Sequence, residues 1–116
     1  MANLLKETKE ILEQHGKTFD DIIFVGDTRF KTKMTVEDFI KRANNNFMDD
    51  YDSIKINMDL ILVGKDFWLE RRRRWNSFWI EWWEYKSTPN VNDFVDGVVY
   101  IFDEAKMNAM YYSRND

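Results

Sequence analysis

The residues with the clearest chemical potential are two carboxylates and a lysine in the second half of the 116-residue chain. Asp66 closes a predicted strand in the segment "KD", and Glu84 and Lys86 lie near the end of a later strand, in "EYK". Two carboxylates brought together can hold a magnesium ion, and a lysine beside them can position or activate water. The spacing raises metal-dependent hydrolysis as one hypothesis, with a surface ion pair as its alternative.

The same arrangement resembles the acid, acid-x-lysine pattern of restriction-type nucleases, but the proline that usually precedes it is absent. Other catalytic patterns are missing. The chain has no cysteine and no GxSxG segment, and its four glycines are too scattered for a phosphate-binding loop. His15, the single histidine, is expected as an exposed cap at a helix end. We therefore expect a protein that is not an enzyme and that has no cofactor and no metal site.

Charge and composition restrict the partners further. The formal net charge is −4 with a pI near 5.0, whereas general nucleic-acid binders are usually basic. Asp49, Asp50 and Asp52 could hold a hard cation but lack the glycine and terminal glutamate of a calcium loop, so a solvated acidic face is expected. The lack of cysteine, of a signal-peptide core and of an apolar membrane span predicts a cytoplasmic protein with no membrane partner.

The segment "FWLERRRRWNSFWIEWWEYKSTP" holds all five tryptophans and the run Arg71–Arg74. It is typical of a β-hairpin with Trp75 and Asn76 at or near its turn. Alternation along the strands gives each arm two faces, of which one must be covered by helices. In a purely structural hairpin, arginines would stack on tryptophans across the strands. In a functional one, the outer face would bind a partner, because Trp, Tyr and Arg dominate interface hot spots. The predicted binding residues are Trp68, Arg72, Arg74, Trp75, Trp79, Trp83 and Tyr85.

The four arginines also suggest nucleic acid, with tryptophans stacking on bases. However, alternation lets at most two of the arginines point the same way, and glutamates lie between them. A nucleotide or a short RNA held between Trp and Arg fits this segment better than a long phosphate backbone.

Hydrophobic periodicity and capping residues place the remaining elements in one α+β domain, residues 1–116. The predicted fold is a mostly antiparallel sheet of three to four strands with two or three helices. The predicted elements are a helix over 3–15 capped by Asn3 and ended by Gly16, a strand over 20–27, a helix capped by Thr35, a strand over 58–66, the hairpin, and a helix from near Asn92. Gly97 and the run Val98–Ile101 favour a strand in place of the last helix.

Three segments carry a resemblance to a family: "LLKETKEILEQHGKTFDDIIFVG", "DLILVGKDFWLER" and "WWEYKSTP". They resemble small proteins of unknown function from phages and prophages of Gram-positive bacteria, over roughly residues 4–26 and 59–89. The arginine run departs from that pattern, and so does the chain after Pro89.

The resemblance implies a context in which small acidic proteins bind and disable host defence systems. The leading hypothesis is a non-enzymatic inhibitor of a bacterial defence protein, with a CRISPR effector nuclease as its leading target, acting in the host cytoplasm. On this hypothesis Trp83→Ala is expected to weaken inhibition and to leave the fold intact. A nucleotide or short-RNA binder is the second hypothesis, and the magnesium nuclease is the third.

Overall fold

A computed structural model describes residues 2–47, 56–89, 91, 93–103, 105–106 and 108–109. Two helices, α1 (Leu4–Gln14) and α2 (Val36–Ala43), are fully described, and the described residues between 103 and 109 are also helical. The strands are β1 (Ala2–Asn3), β2 (Ile22–Asp27), β3 (Thr32–Met34), β4 (Asn46–Phe47), β5 (Leu60–Gly64), β6 (Trp68–Trp75), β7 (Trp79–Lys86) and β8 (Val95–Asp96).

Six of these strands form one sheet in the order β7-β6-β5-β2-β3-β8, and all neighbours are antiparallel except β3 and β8. The short strands β1 and β4 pair separately. This architecture confirms the predicted α+β class. The strand count exceeds the prediction because β3 has three residues and β8 has two, too few to show an alternating pattern.

The helix boundaries follow the predicted caps. The Asn3 side chain accepts a hydrogen bond from the Lys6 N–H, 3.0 Å away, and Gly16 ends the region with φ of 69°. The Thr35 hydroxyl accepts from the Asp38 N–H at 3.1 Å at the start of α2. A 3₁₀ turn at Phe19–Asp21 was not predicted.

The prediction of a helix from near Asn92 is wrong for residues 93–102, whereas the described residues from 103 onwards are helical. The Val95 N–H donates to the Lys31 carbonyl and the Gly97 N–H donates to the Lys33 carbonyl, so this segment pairs with β3 as a parallel strand. The Thr32 hydroxyl then donates to the Val98 carbonyl at 2.7 Å. Helical residues begin at 103 in the described part of the chain. The β-branched run at 98–101 is neither helix nor strand, and the strand in this segment is limited to Val95–Asp96.

The core lies between one face of the sheet and the helices. Leu12 and Phe39 from the helices meet Val25, Leu62 and Leu69 from the three central strands, all of them buried. The register aligns Val25 with Leu62 and Leu62 with Leu69, so one row of side chains crosses these strands. We call this side of the sheet the inner face and the opposite side the outer face.

Candidate interaction surface on the hairpin

The β6–β7 hairpin is longer than the sheet that supports it. Eight register pairs join the two strands, from Trp68 with Lys86 to Trp75 with Trp79. β5 pairs only with the first three residues of β6, up to Glu70. The part of the hairpin beyond that point, residues 71–83, therefore has no strand beside it on the β5 side among the described residues. Within it we call residues 72–82 the distal hairpin.

The turn determines which side chains share a face. It spans three residues, with Asn76 donating its N–H to the Phe78 carbonyl at 2.9 Å and Ser77 at φ of 64°. A two-residue turn at Trp75 and Asn76 would pair odd-numbered residues of one arm with even-numbered residues of the other. The three-residue turn pairs even with even, and because strand side chains alternate, this shift exchanges the two faces of the second arm.

The inner face of the hairpin packs against α1. Trp83 is 4% exposed, and its Nε1 donates to the Thr8 Oγ1 at 2.9 Å. The Thr8 hydroxyl donates in turn to the Leu4 carbonyl at 2.7 Å, so both of its roles are used. Arg71 lies opposite Trp83 in the register, and its guanidinium is 4.8 Å from the centre of that indole ring. It also forms an ion pair of 3.1 Å with Glu7.

Tyr85 continues the inner face toward the base of the hairpin. The His15 ring stacks on it at 3.8 Å with an angle of 2° between the planes, and Phe67 lies on it at 5.2 Å. A Cβ on Gly64 would come within 2.2 Å of the Phe67 ring, so only glycine allows this packing. His15 is exposed at the C-cap of α1, as predicted.

The predicted common binding face is therefore wrong in part. Trp68, Arg72 and Arg74 lie on the outer face, but Trp75, Trp83 and Tyr85 lie on the inner face, and Trp83 is buried. The side chain of Trp79 lies outside the described residues. The residues that share the outer face with Arg72 and Arg74 on the second arm are Ile80 and Trp82, which the sequence prediction did not select.

The outer face has two electrostatic regions. Near the base, Glu70 contacts Arg72 at 3.2 Å and Lys86 at 3.7 Å, and the Trp68 indole N–H donates to the same carboxylate. Glu84 contacts Arg72 at 3.2 Å. The charges at the base are thus paired. Toward the turn, Arg74 has no ion-pair partner among the residues that the structure describes.

Large apolar side chains are concentrated in the distal hairpin. The exposed fractions are 54% for Trp75, 38% for Phe78, 36% for Ile80 and 39% for Trp82. None of these four side chains belongs to the core cluster that the described residues form. Ile80 and Trp82 lie on the outer face beside Arg72 and Arg74, whereas Trp75 lies on the inner face and Phe78 lies in the turn. Exposed apolar side chains beside arginines have the composition of a protein-interface hot spot.

The residues of the nuclease hypothesis have separate partners. Asp66 pairs with Lys17 at 3.6 Å, Glu84 pairs with Arg72, and Lys86 pairs with Glu70. Within the described part of the chain, no group of three or more acidic or histidine side chains is placed to hold a metal ion. Asp49, Asp50 and Asp52 lie outside the described residues.

A second polar cluster, which the sequence did not reveal, lies at the end of β2. The Lys106 Nζ is 3.1 Å from the Asp27 carboxylate and 3.0 Å from the Asn57 Oδ1, and it also pairs with Asp59. Asp27 is fully buried and accepts further hydrogen bonds from the N–H groups of Arg29 and Phe30. Lys106 belongs to the described helical residues between 103 and 109, and Asp27 ends β2. These contacts therefore attach the helical residues to the sheet.

Comparison of the chain with protein-family models, curated proteins and solved structures gives no match. Among the residues described here, no helix combines the length and apolar character needed to cross a membrane.

Proposed function

We propose that this chain is a non-enzymatic binding protein that engages a protein partner through the distal hairpin. The observation that supports this proposal is the exposure of Trp75, Phe78, Ile80 and Trp82 on an arm that extends beyond the sheet. Fully desolvating such side chains in a partner's groove is the usual source of hot-spot energy. Arg74 beside them adds a guanidinium that can pair with a carboxylate of the partner.

The specific form of the proposal is a phage-encoded inhibitor of a bacterial defence protein, with a CRISPR effector nuclease as the leading target, in the host cytoplasm. This step is based on the resemblance of residues 4–26 and 59–89 to phage and prophage proteins. An inhibitor of this kind requires a rigid recognition surface and no active site. The eight-pair hairpin, attached to α1 through Trp83 and Arg71, offers such a surface.

The outer face favours a protein partner over a nucleotide or short RNA. Arg72, the arginine directly opposite Trp82, is already paired with Glu70 and Glu84. Those two carboxylates would lie close to any phosphate that approached Trp82 from the base of the hairpin. A carboxylate-bearing protein surface that contacts Arg74 and the aromatic residues near the turn avoids this repulsion.

The proposal is tested by DNA cleavage with purified CRISPR effector nucleases from Gram-positive bacteria. We expect the wild-type protein to block cleavage by at least one effector. Trp82→Ala combined with Arg74→Glu should restore cleavage, because both substitutions alter the outer face and leave the core unchanged. Ile23→Ser, at an exposed apolar position on β2, is the matched control and should inhibit as wild type does. Equal inhibition by the double variant would refute the proposed surface.

The same assay set separates the nucleotide alternative. A nucleotide or short oligoribonucleotide bound at Trp82 should quench tryptophan fluorescence and raise the melting temperature. Quenching by such a ligand, lost in Trp82→Ala, together with no inhibition of any effector, would move the function to that class.

A further inference from the structure

A cleft lies where β2 runs beyond its neighbour β3. β3 pairs with β2 only over Val25 to Asp27, so residues 22–24 of β2 have no strand beside them on that side among the described residues. The chain leaves β3 at Met34 and enters α2 at Val36. The space left between these segments, which we call the β2–β3 cleft, has a volume of about 340 Å³. Small-molecule sites have volumes of roughly 300–1,000 Å³, so the cleft has room for a small ligand.

Most of the wall of the β2–β3 cleft is apolar. A register shift between Ile22 and Phe24 makes Ile23 a bulged residue, and its side chain is 62% exposed although Val25 is fully buried. β-Bulges often redirect a side chain beside a binding site. Ile23 thereby joins the wall together with residues from the end of β3 and the start of α2. The apolar residues that line the cleft are Ile22, Ile23, Phe24, Met34 and Val36.

Three charged side chains also line the cleft, namely Lys33, Glu37 and Asp96. None of them forms an ion pair within the part of the chain that the structure describes. Lys33 and Asp96 are register partners on β3 and β8, so their side chains leave adjacent strands on the same face. The Lys33 ammonium lies instead over the Phe24 ring, 5.5 Å from its centre. Two opposite charges therefore lie side by side at the cleft without pairing with each other.

We propose that the β2–β3 cleft binds a free apolar α-amino acid. The ligand carboxylate accepts a hydrogen bond from the Lys33 ammonium. The ligand ammonium donates to the carboxylates of Asp96 and Glu37, and the ligand side chain packs against the apolar wall. Hydrogen bonds between charged groups fix the orientation, and burial of the apolar side chain adds affinity.

The charges of the lining favour this ligand class over others. An apolar carboxylic acid brings its negative charge next to Asp96 and Glu37, and an apolar amine brings its positive charge next to Lys33. A peptide terminus carries only one of the two charges, and a nucleotide brings phosphate toward both carboxylates. A free amino acid holds both charges on one carbon atom and complements both signs.

The β2–β3 cleft is separate from the distal hairpin. β5 lies between β2 and β6 in the sheet, so the cleft and the hairpin are on opposite sides of that strand. The proposal is therefore independent of the function proposed above.

Isothermal titration calorimetry of the full chain tests the ligand class. L-leucine is the first probe, and L-isoleucine, L-valine and L-methionine complete the panel. We expect at least one of them to bind with one-to-one stoichiometry. The amino alcohol and the carboxylic acid that correspond to this ligand each lack one charge and should bind at least tenfold more weakly. Equal binding of either analogue, or no binding of any amino acid of the panel at millimolar concentration, would overturn the proposal.

Two variants test the charged residues. Lys33→Met and Asp96→Asn each remove one charge and should weaken binding at least tenfold. Lys31→Met and Asp93→Asn are the matched controls, because neither residue lines the cleft, and they should bind as wild type does. Unchanged binding by both cleft variants would contradict the assigned contacts.

Amide chemical shifts of the wild-type protein locate the site without any variant, so this test remains valid if a variant does not fold. Titration with the amino acid that binds should shift the amide signals of residues 22–24 and 33–37 and leave those of residues 72–82 unchanged. Shifts confined to residues outside the cleft would place the ligand elsewhere and overturn the proposal.

Discussion

The Nε1 of Trp83 donates a hydrogen bond of 2.9 Å to the Thr8 hydroxyl, and this contact joins the hairpin to α1. It also determines what the hairpin can present to a partner. Trp83 lies on the inner face with Leu69 and Arg71, so the neighbouring Trp82 is directed to the outer face and is 39% exposed. Two adjacent tryptophans therefore have different roles, one in the core and one on the surface.

Alanine substitutions at these two tryptophans should have unequal effects on stability. We expect Trp83→Ala to lower the free energy of unfolding by about 3–5 kcal/mol, because a large buried side chain leaves a cavity. Trp82→Ala should change it by about 0.5 kcal/mol or less, as surface substitutions usually do. Urea unfolding followed by far-ultraviolet circular dichroism measures both. Equal losses would mean that the assignment of faces is wrong. The expectation from sequence that Trp83→Ala leaves the fold intact is replaced by this one.

Thr8→Val should expose the importance of the hydrogen bond itself. Valine has the shape of threonine but offers no acceptor, so the buried indole N–H of Trp83 would lose its partner. The expected loss is about 1–3 kcal/mol in the free energy of unfolding. Thr8→Ser keeps the hydroxyl and is the matched control. If Thr8→Ser proves as damaging as Thr8→Val in the same urea titration, lost packing rather than the hydrogen bond is responsible.

Glu7→Gln should weaken the attachment of Arg71. The Arg71 side chain is buried and pairs with Glu7 at 3.1 Å, so a neutral amide would leave its charge poorly balanced. A loss of about 1.5–3 kcal/mol is expected, the range for hydrogen bonds to charged groups. Glu10→Gln, an exposed position on the same helix, is the control and should have little effect. A double-mutant cycle with Arg71→Met should give a coupling energy, and additive effects would argue against the pair.

Lys106→Met should strongly lower the stability of the protein, because Lys106 is a buried cation. It removes the cation that balances the buried carboxylate of Asp27, and breaking a buried pair in this way costs about 3–5 kcal/mol. Lys9→Met, on the exposed side of α1, controls for the change of residue type. The melting temperatures of the two variants should differ clearly. Similar values would show that the cluster around Lys106 contributes little to stability.

The sequence correctly predicted the elements whose ends are determined by local capping and turn preferences. Asn3, Gly16 and Thr35 are placed by capping and turn preferences that act over three or four residues, and each has the predicted role. The hairpin was predictable from two segments rich in aromatic residues that flank a turn near Asn76. The strands β3 and β8 were not, because each has only two or three residues. β3 pairs with β2 across a short turn, and β8 is a strand only through pairing with the distant β3.

The candidate surface was predicted in part, and the error has one physical cause. The sequence does not specify whether the turn holds two residues or three, and that single residue decides whether Trp82 or Trp83 accompanies Arg72. The cluster of Lys106, Asp27 and Asn57 could not be predicted at all. Its members are 30 to 79 positions apart in sequence, and no spacing rule joins residues that only the tertiary fold brings together.

The measurement that tests the proposed surface most directly is affinity purification of the tagged chain from a bacterial host that carries CRISPR and other defence systems. Three baits are compared by mass spectrometry of the eluate: wild type, Ile80→Ser combined with Trp82→Ala, and the control Ile23→Ser. We expect one defence protein in stoichiometric amount with wild type and with the control, and its loss with the double variant. The same protein retained by the double variant, or no stoichiometric protein with any bait, would contradict the role of the distal hairpin as the contact surface.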